Sequence, residues 1–428
     1  MRIAYVSESF APDVNGVAIT ALRVAENLSA AGHEPLVIAP EPARRMPRLD
    51  AGLGFPVVRV RAAGLPLYRG FRVGLPGPAV RAAIAAHRAD VVHLAGPVVL
   101  GAGGCSAAGR LGLPTVAVYA TDLAAYARAY HLGPAGEAAC WRHLRRVHNA
   151  AARTLAPSTA TAAQLGEHGF ERVHVWGRGV DTRRFDPARR CPRLRAELAP
   201  RGEVIVGYVG RLAAEKRLDL LSGVTALPGV RLVIVGAGPA EPAARRALPG
   251  ATFLGQRQGD ELARMYASFD IFVHAGPHDT FGNTLQEAAA SGVPTVAPAA
   301  GGPLDLVRQG VTGFLVAPGD ARAIAEAVGV LAADSELRAA QGRAARLAVL
   351  GRSWQARCEE LTGHYAAVLG RSESLVPSAF LPSASLPSAA MLPTVSVRSS
   401  AAALPSVSML PAASELPATD DVTAGAAA

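Results

Sequence analysis

Short, nearly unbroken apolar runs alternate along the chain with longer stretches of helical spacing. RIAYVS (2–7) is the first apolar run. From Val17 to Ala31, Leu22, Ala25, Glu26 and Leu28 recur at helical spacing; Gly32 ends that stretch and PLVIAP (35–40) follows. That is one β–α–β unit within forty residues. Further strands are predicted at VVRV (57–60), DVVHL (90–94), TVAVYA (115–120) and TLAPS (154–158). Apolar strands interleaved with helices predict a parallel sheet covered on both faces.

The pattern restarts after the turn-rich DTRRFDPARRCP (181–192). VIVGYVG (204–210), RLVIVGAG (231–238), ATFLG (251–255), DIFVHAG (270–276), TVAP (295–298) and TGFLV (312–316) read as six more strands. Two successive α/β segments predict two Rossmann-like domains, 1–190 and 200–352, facing a central cleft. Ligands of parallel sheets bind beyond the carboxyl ends of the strands, so the cleft is the expected site. From about Leu375 a degenerate Leu-Pro-Ser-Ala repeat takes over. Frequent proline and small side chains predict a disordered tail over 375–428.

Composition narrows the partners. The 428 residues are 50% hydrophobic and 18% charged, which excludes wholesale disorder. The net charge of +9 favours anionic partners. Among 43 basic residues Lys216 is the only lysine. Four scattered cysteines form no CxxC pair, which predicts ordinary thiols in a reducing compartment. No signal peptide and no membrane-spanning helix are expected from the apolar runs. Dispersed arginines and 5% aromatics argue against nucleic-acid binding.

Two segments carry candidate chemistry. In GYVGRLAAEKRLDLL (207–221) a buried strand ends at a glycine, and Arg211 and Lys216 follow, entering a predicted helix. Two cations and a helix N-terminus suit a diphosphate, although the same pair can serve as solvated surface charge. In HAGPHDTFGNTLQEAAASGVPTVAP (274–298) a strand enters a loop, and a helix is predicted from Asn283 to Ser291. Asp279 falls in the loop and Glu287 one turn into the helix, where carboxylates can accept from sugar hydroxyls. The amides of Phe281, Gly282, Asn283 and Thr284 can meet phosphate between them. Taken alone, Glu287 is equally a dipole-compensating acid.

These motifs together resemble retaining glycosyltransferases of family 4, which have the GT-B fold. The acid-x7-Glu signature is Asp279 to Glu287, the basic pair is Arg211 and Lys216, and the N-terminal loop is PDVNGVA (12–18), with Asn15 and Gly16. The resemblance covers residues 1 to about 370. VYATDLAAYARAYHLG (118–133), APSTATAAQL (156–165) and WGRGVDTRRF (176–185) look most like actinobacterial α-mannosyltransferases that use GDP-mannose on lipid acceptors. The resemblance implies that Arg211 and Lys216 neutralise the leaving diphosphate. It implies that Glu287 holds ribose hydroxyls, that Asp279 holds the transferred sugar, and that Gly16 admits the phosphate. Residues 353–372 would form a helix returning to the first domain. Many members have Glu in place of Asp279 and His in place of Ala120; Asp122 is the nearby candidate to compensate.

No Asp-x-Asp pair occurs, so no metal or other cofactor is expected, the two cations standing in for a metal. His274 and His278 lack an evident third ligand. The GAGP turn (236–239) lacks the full dinucleotide fingerprint, which disfavours NAD. CWRHLRRVHNAAAR (140–153) is a predicted basic helix that, with Trp141, Arg142, Arg145, Arg146 and Arg153, offers either an anionic-membrane contact or an ordinary solvated face. The expected protein is a cytoplasmic mannosyltransferase, peripheral to the inner membrane face, with a lipid-linked or glycan acceptor. A UDP-sugar-dependent glucosyl- or N-acetylglucosaminyltransferase and a catalytically weak, glycosyltransferase-like binding protein are the alternatives.

Overall fold

The computed structural model describes residues 1–13, 15–42, 50–65, 68–124, 128 and 133–370. The predicted 375–428 tail lies outside the described residues. The first sheet contains β1 (Arg2–Ser7), β2 (Glu34–Pro40), β3 (Val57–Val60), β6 (Val91–Ala95), β7 (Thr115–Val118), β8 (Arg153–Ala156) and β9 (Val173–Val175). Their order is β3-β2-β1-β6-β7-β8-β9, all parallel. A two-stranded antiparallel hairpin, β4 (Ala62–Leu65) with β5 (Tyr68–Gly74), stands apart from it and has no counterpart in the sequence prediction. The second sheet contains β10 (Val204–Val209), β11 (Val230–Val235), β12 (Thr252–Phe253), β13 (Ile271–Val273), β14 (Thr295–Pro298) and β15 (Gly313–Val316). Its order is β12-β11-β10-β13-β14-β15, again parallel.

Burial explains the strand composition. Five consecutive residues of β1 and all five of β6 are buried, because helices cover both faces. The helix Gly16–Ala30 packs Ala21, Val24, Ala25 and Leu28 into the core beneath β1. Asn15 caps it, its Oδ1 accepting from the N–H groups of Val17 and Ala18 at 3.0 Å.

The helix Trp354–Val368 packs on the first sheet although it follows the second in sequence. Cys358, Leu361 and Tyr365 share one core with Ile3, Tyr5 and Trp176. The Tyr365 hydroxyl lies 2.8 Å from His93 Nδ1 on β6, and burial pushes His93 down to about 3, so it is neutral. The outgoing and returning crossings run side by side: the Val180 N–H donates to the Arg352 carbonyl at 2.9 Å. Among the described residues, no helix is long and apolar enough to cross a membrane.

Candidate active site

In each sheet the strand order reverses beside its first strand: between β1 and β6, and between β10 and β13. A crevice opens beyond the carboxyl ends at such a reversal. The loop after β1 ends at Asn15, with Gly16 opening the helix that follows; the loop after β10 carries Arg211 and Lys216, and the loop after β13 carries His274 and Asp279. The two reversals meet. A Cβ on Gly16 would lie 3.6 Å from Asn283 Nδ2, across from the second sheet. The Thr161 hydroxyl donates to the Thr280 carbonyl at 3.3 Å, and the Thr159 N–H donates to Asp305 at 2.7 Å.

On the second-sheet side, Lys216 Nζ forms an ion pair with Asp279 Oδ1. His274 Nε2 stands 3.0 Å from Asp279 Oδ2. Burial opposes ionisation of Asp279, but Lys216 and His274 outweigh it and hold the carboxyl far below its ordinary range. It is therefore held as a carboxylate, an acceptor of hydrogen bonds. Gly276 permits the pairing: a Cβ there would come 3.0 Å from the Glu215 carbonyl, so only glycine lets the two loops approach without adjustment. Arg211 pairs with Glu215. The helix expected to begin near Lys216 is absent. Two 3₁₀ turns, Ala214–Lys216 and Leu218–Leu221, occupy the segment, separated by Arg217 at φ 48. Such short turns carry little dipole, so the lysine charge rather than a helix N-terminus supplies the positive field there.

The helix Asn283–Ala290 starts as expected and follows Gly282 at φ 100. Gly282 gives it no side-chain cap, so the first-turn amides have no capping side-chain acceptor. Glu287 lies on its second turn. Burial pushes its carboxyl up to about 7, against the opposing pull of Tyr266 and Arg184. Behind the loop, the Gly302 N–H donates to the Asp279 carbonyl at 2.9 Å.

On the first-sheet side, Asn15 is committed to capping, and its Nδ2 donates to Ser9 Oγ at 2.8 Å. Asp122 is buried, with the Tyr119 hydroxyl donating to it at 3.3 Å. Ala120 lines a small cavity of about 10 Å³ with Tyr5, Val17, Trp176 and Arg178. No group of three His, Cys, Asp or Glu side chains that could hold a metal occurs among the described residues.

Residues 14–184 match Glycosyltransferase Family 4, and residues 193–348 match Glycosyl transferases group 1. A GDP-mannose-dependent alpha-mannosyltransferase of Corynebacterium glutamicum is 42% identical over 385 residues, 90% of this chain and 93% of that protein. The protein of that name from Mycobacterium tuberculosis is 48% identical over 375 residues, 87% and 98% of the two chains. The chain belongs to glycosyltransferase family 4. In fold it also resembles Anabaena HepE in complex with UDP and glucose, with TM-score 0.70 at 20% identity over 85% of this chain and 99% of that one.

Two sequence expectations for this glycosyltransferase need correction. Trp141 does not join the basic surface of the helix Gly133–Ala150. It is 9% exposed and stacks on the His168 ring at 3.7 Å, because Trp141, Leu144, Val147 and His148 form the inward stripe. Arg142, Arg145 and Arg146 do face outward. Arg153 lies on β8 rather than on that helix, with Nη1 2.8 Å from His364 Nδ1. Sequence reasoning also missed His274 as a partner of Asp279, and Arg178 altogether. The only signal for Arg178 was a large cation between two glycines in a linker, which no periodicity marks.

Proposed function

We propose that this glycosyltransferase moves mannose from GDP-mannose, with retention of configuration, to a hydroxyl of a glycolipid or glycan. The identity of 42–48% to proteins named GDP-mannose-dependent alpha-mannosyltransferases, over about nine-tenths of the chain, carries the reading. The geometry supports the assignment of roles. Residues 1–190 with 353–372 take the acceptor side and residues 200–352 the donor side. Arg211 and Lys216 hold the diphosphate, and Gly16 admits it. Asp279 and Asp122 accept from sugar hydroxyls, Glu287 accepts from the ribose diol, and the backbone of Phe281 to Thr284 faces the phosphates. Asn15 fixes the loop that presents Gly16.

The C1–O bond to phosphate breaks while a bond forms from C1 to the acceptor oxygen on the same face. The acceptor proton passes to the departing phosphoryl oxygen. Lys216, already fixed by Asp279, stabilises the charge that grows there, a form of preorganisation that needs no metal. The outward Arg142, Arg145 and Arg146 support peripheral contact with an anionic cytoplasmic membrane face.

The test is a donor panel in EDTA: thermal shifts with GDP, UDP, ADP and NAD, then label transfer from GDP-mannose into a membrane extract. A GDP-selective shift with lipid labelling is expected. A UDP-selective shift would move the donor to a UDP-sugar.

A further inference from the structure

Arg178 sits in the linker leaving β9, at the point where the two sheets meet. It is 8% exposed, so most of its side chain is out of water. Among the described residues it has no carboxylate within ion-pair distance. Nη2 reaches the Ala120 carbonyl only at 3.5 Å, the long limit of a hydrogen bond. Its guanidinium carbon lies 5.9 Å from the Phe281 ring centre. Gln286 Nε2 donates to the backbone carbonyl of Arg178 at 2.9 Å and so anchors the residue without satisfying its side chain. Burial pushes the guanidinium pKa down from its ordinary value, with only partial help from Tyr5 and Asp279; arginine nevertheless stays charged.

A buried cation with this little compensation destabilises a fold, so its retention calls for a partner. The surroundings indicate which partner. A Cβ placed on Gly16 would lie 3.4 Å from Arg178 Nη1 and 3.6 Å from Asn283 Nδ2. Two N–H donors, one from the linker and one from the start of the helix Asn283–Ala290, therefore converge on the space that glycine leaves open. An oxygen there can bond both, and an anionic oxygen also neutralises the guanidinium. Ala120 contributes as a small residue: with Arg178 it lines a neighbouring small cavity.

We propose that Arg178 is a donor-binding residue that, with Asn283, takes a phosphoryl oxygen of the sugar nucleotide in the space above Gly16. It acts as a third cation beside Arg211 and Lys216, supplied from the linker rather than from the second sheet. The inference rests on the sugar-nucleotide reading above but not on which base the nucleotide carries.

Calorimetric titration of the full chain and Arg178→Gln with GDP, UDP and guanosine tests it. Loss of a charged N–H pair to phosphate is expected to weaken diphosphate binding by about tenfold or more, with guanosine unaffected. The melting temperature of Arg178→Gln without nucleotide should hold or rise, since an under-compensated charge is removed; a merely structural arginine would lower it. Arg178→Lys keeps the charge but not the fork, and is expected to weaken diphosphate by about threefold to tenfold. If Arg178→Gln fails to fold, Arg178→Lys decides. Diphosphate affinity within twofold of wild type in the folded variants overturns the proposal. A UDP preference shared by wild type and variants would instead overturn the guanine donor, and the Arg178 comparison would then be read on UDP.

Discussion

Asp279 and Glu287 are both carboxylates of one loop and helix, yet their environments drive them apart. Lys216 and His274 hold Asp279 ionised, whereas burial lifts Glu287 to about 7. Lys216→Ala removes the charge facing the leaving group and strips Asp279 of its nearest partner. It should lower kcat/KM at least tenfold, about 1.4 kcal/mol in the transition state, measured by initial rates of mannose transfer. Glu287 accepts from both hydroxyls of a diol, and most strongly, when ionised. GDP binding should therefore weaken as pH falls from 8 through 7 to 6, and Glu287→Gln should flatten that dependence in calorimetry. The same shift acts on folding with the opposite slope. Because the native pKa is raised, the contribution of Glu287 is most favourable below its ordinary value of 4.5 and is lost as pH rises through 7. Glu287→Gln should remove that loss from a series of melting temperatures.

At the scale of elements, the loop bearing Asp279 is held by its backbone neighbours more than by its own sequence. A Cβ on Gly302 would stand 1.9 Å from the Phe281 carbonyl. Gly302→Ala must push that loop away, with a destabilisation of about 1–3 kcal/mol and a larger loss of activity, read from denaturant midpoints and rates. Elements with a strong period were legible in the sequence. β1, β10 and the helix from Gly16 announce themselves through unbroken apolar runs and helical spacing. The segment after Arg211 was not, because Glu215 to Leu221 has helix-forming residues but folds as two 3₁₀ turns around a left-handed Arg217. The β4–β5 hairpin was hidden among glycines and prolines. The inward place of Trp141 was available from its spacing to Leu144 and Val147, but the run of arginines beside it drew the opposite reading. Of the candidate site, Lys216 stood out by rarity and Asp279 and Glu287 by motif. His274 and Arg178 required the fold, since their partners come from distant loops.

At the scale of the whole molecule, the two sheets depend on a chain that crosses between them twice. Removing everything after Arg352 deletes the helix Trp354–Val368, and with it Cys358, Leu361 and Tyr365 from the core around β1. Such a truncation should lose the melting transition of the first sheet while the second sheet, whose cores contain none of these residues, keeps its own, whereas Tyr365→Phe should fold with a penalty of about 1–2 kcal/mol for the partner lost at His93. The crossing also has a meaning in time. During synthesis, β1 emerges first, yet the residues that close its hydrophobic face are made more than three hundred positions later. The second sheet has all its strands in hand while the first still exposes an apolar flank, so the part of the enzyme translated first is completed last. A nascent chain of this glycosyltransferase must be kept from aggregating through that flank until the helix Trp354–Val368 leaves the ribosome.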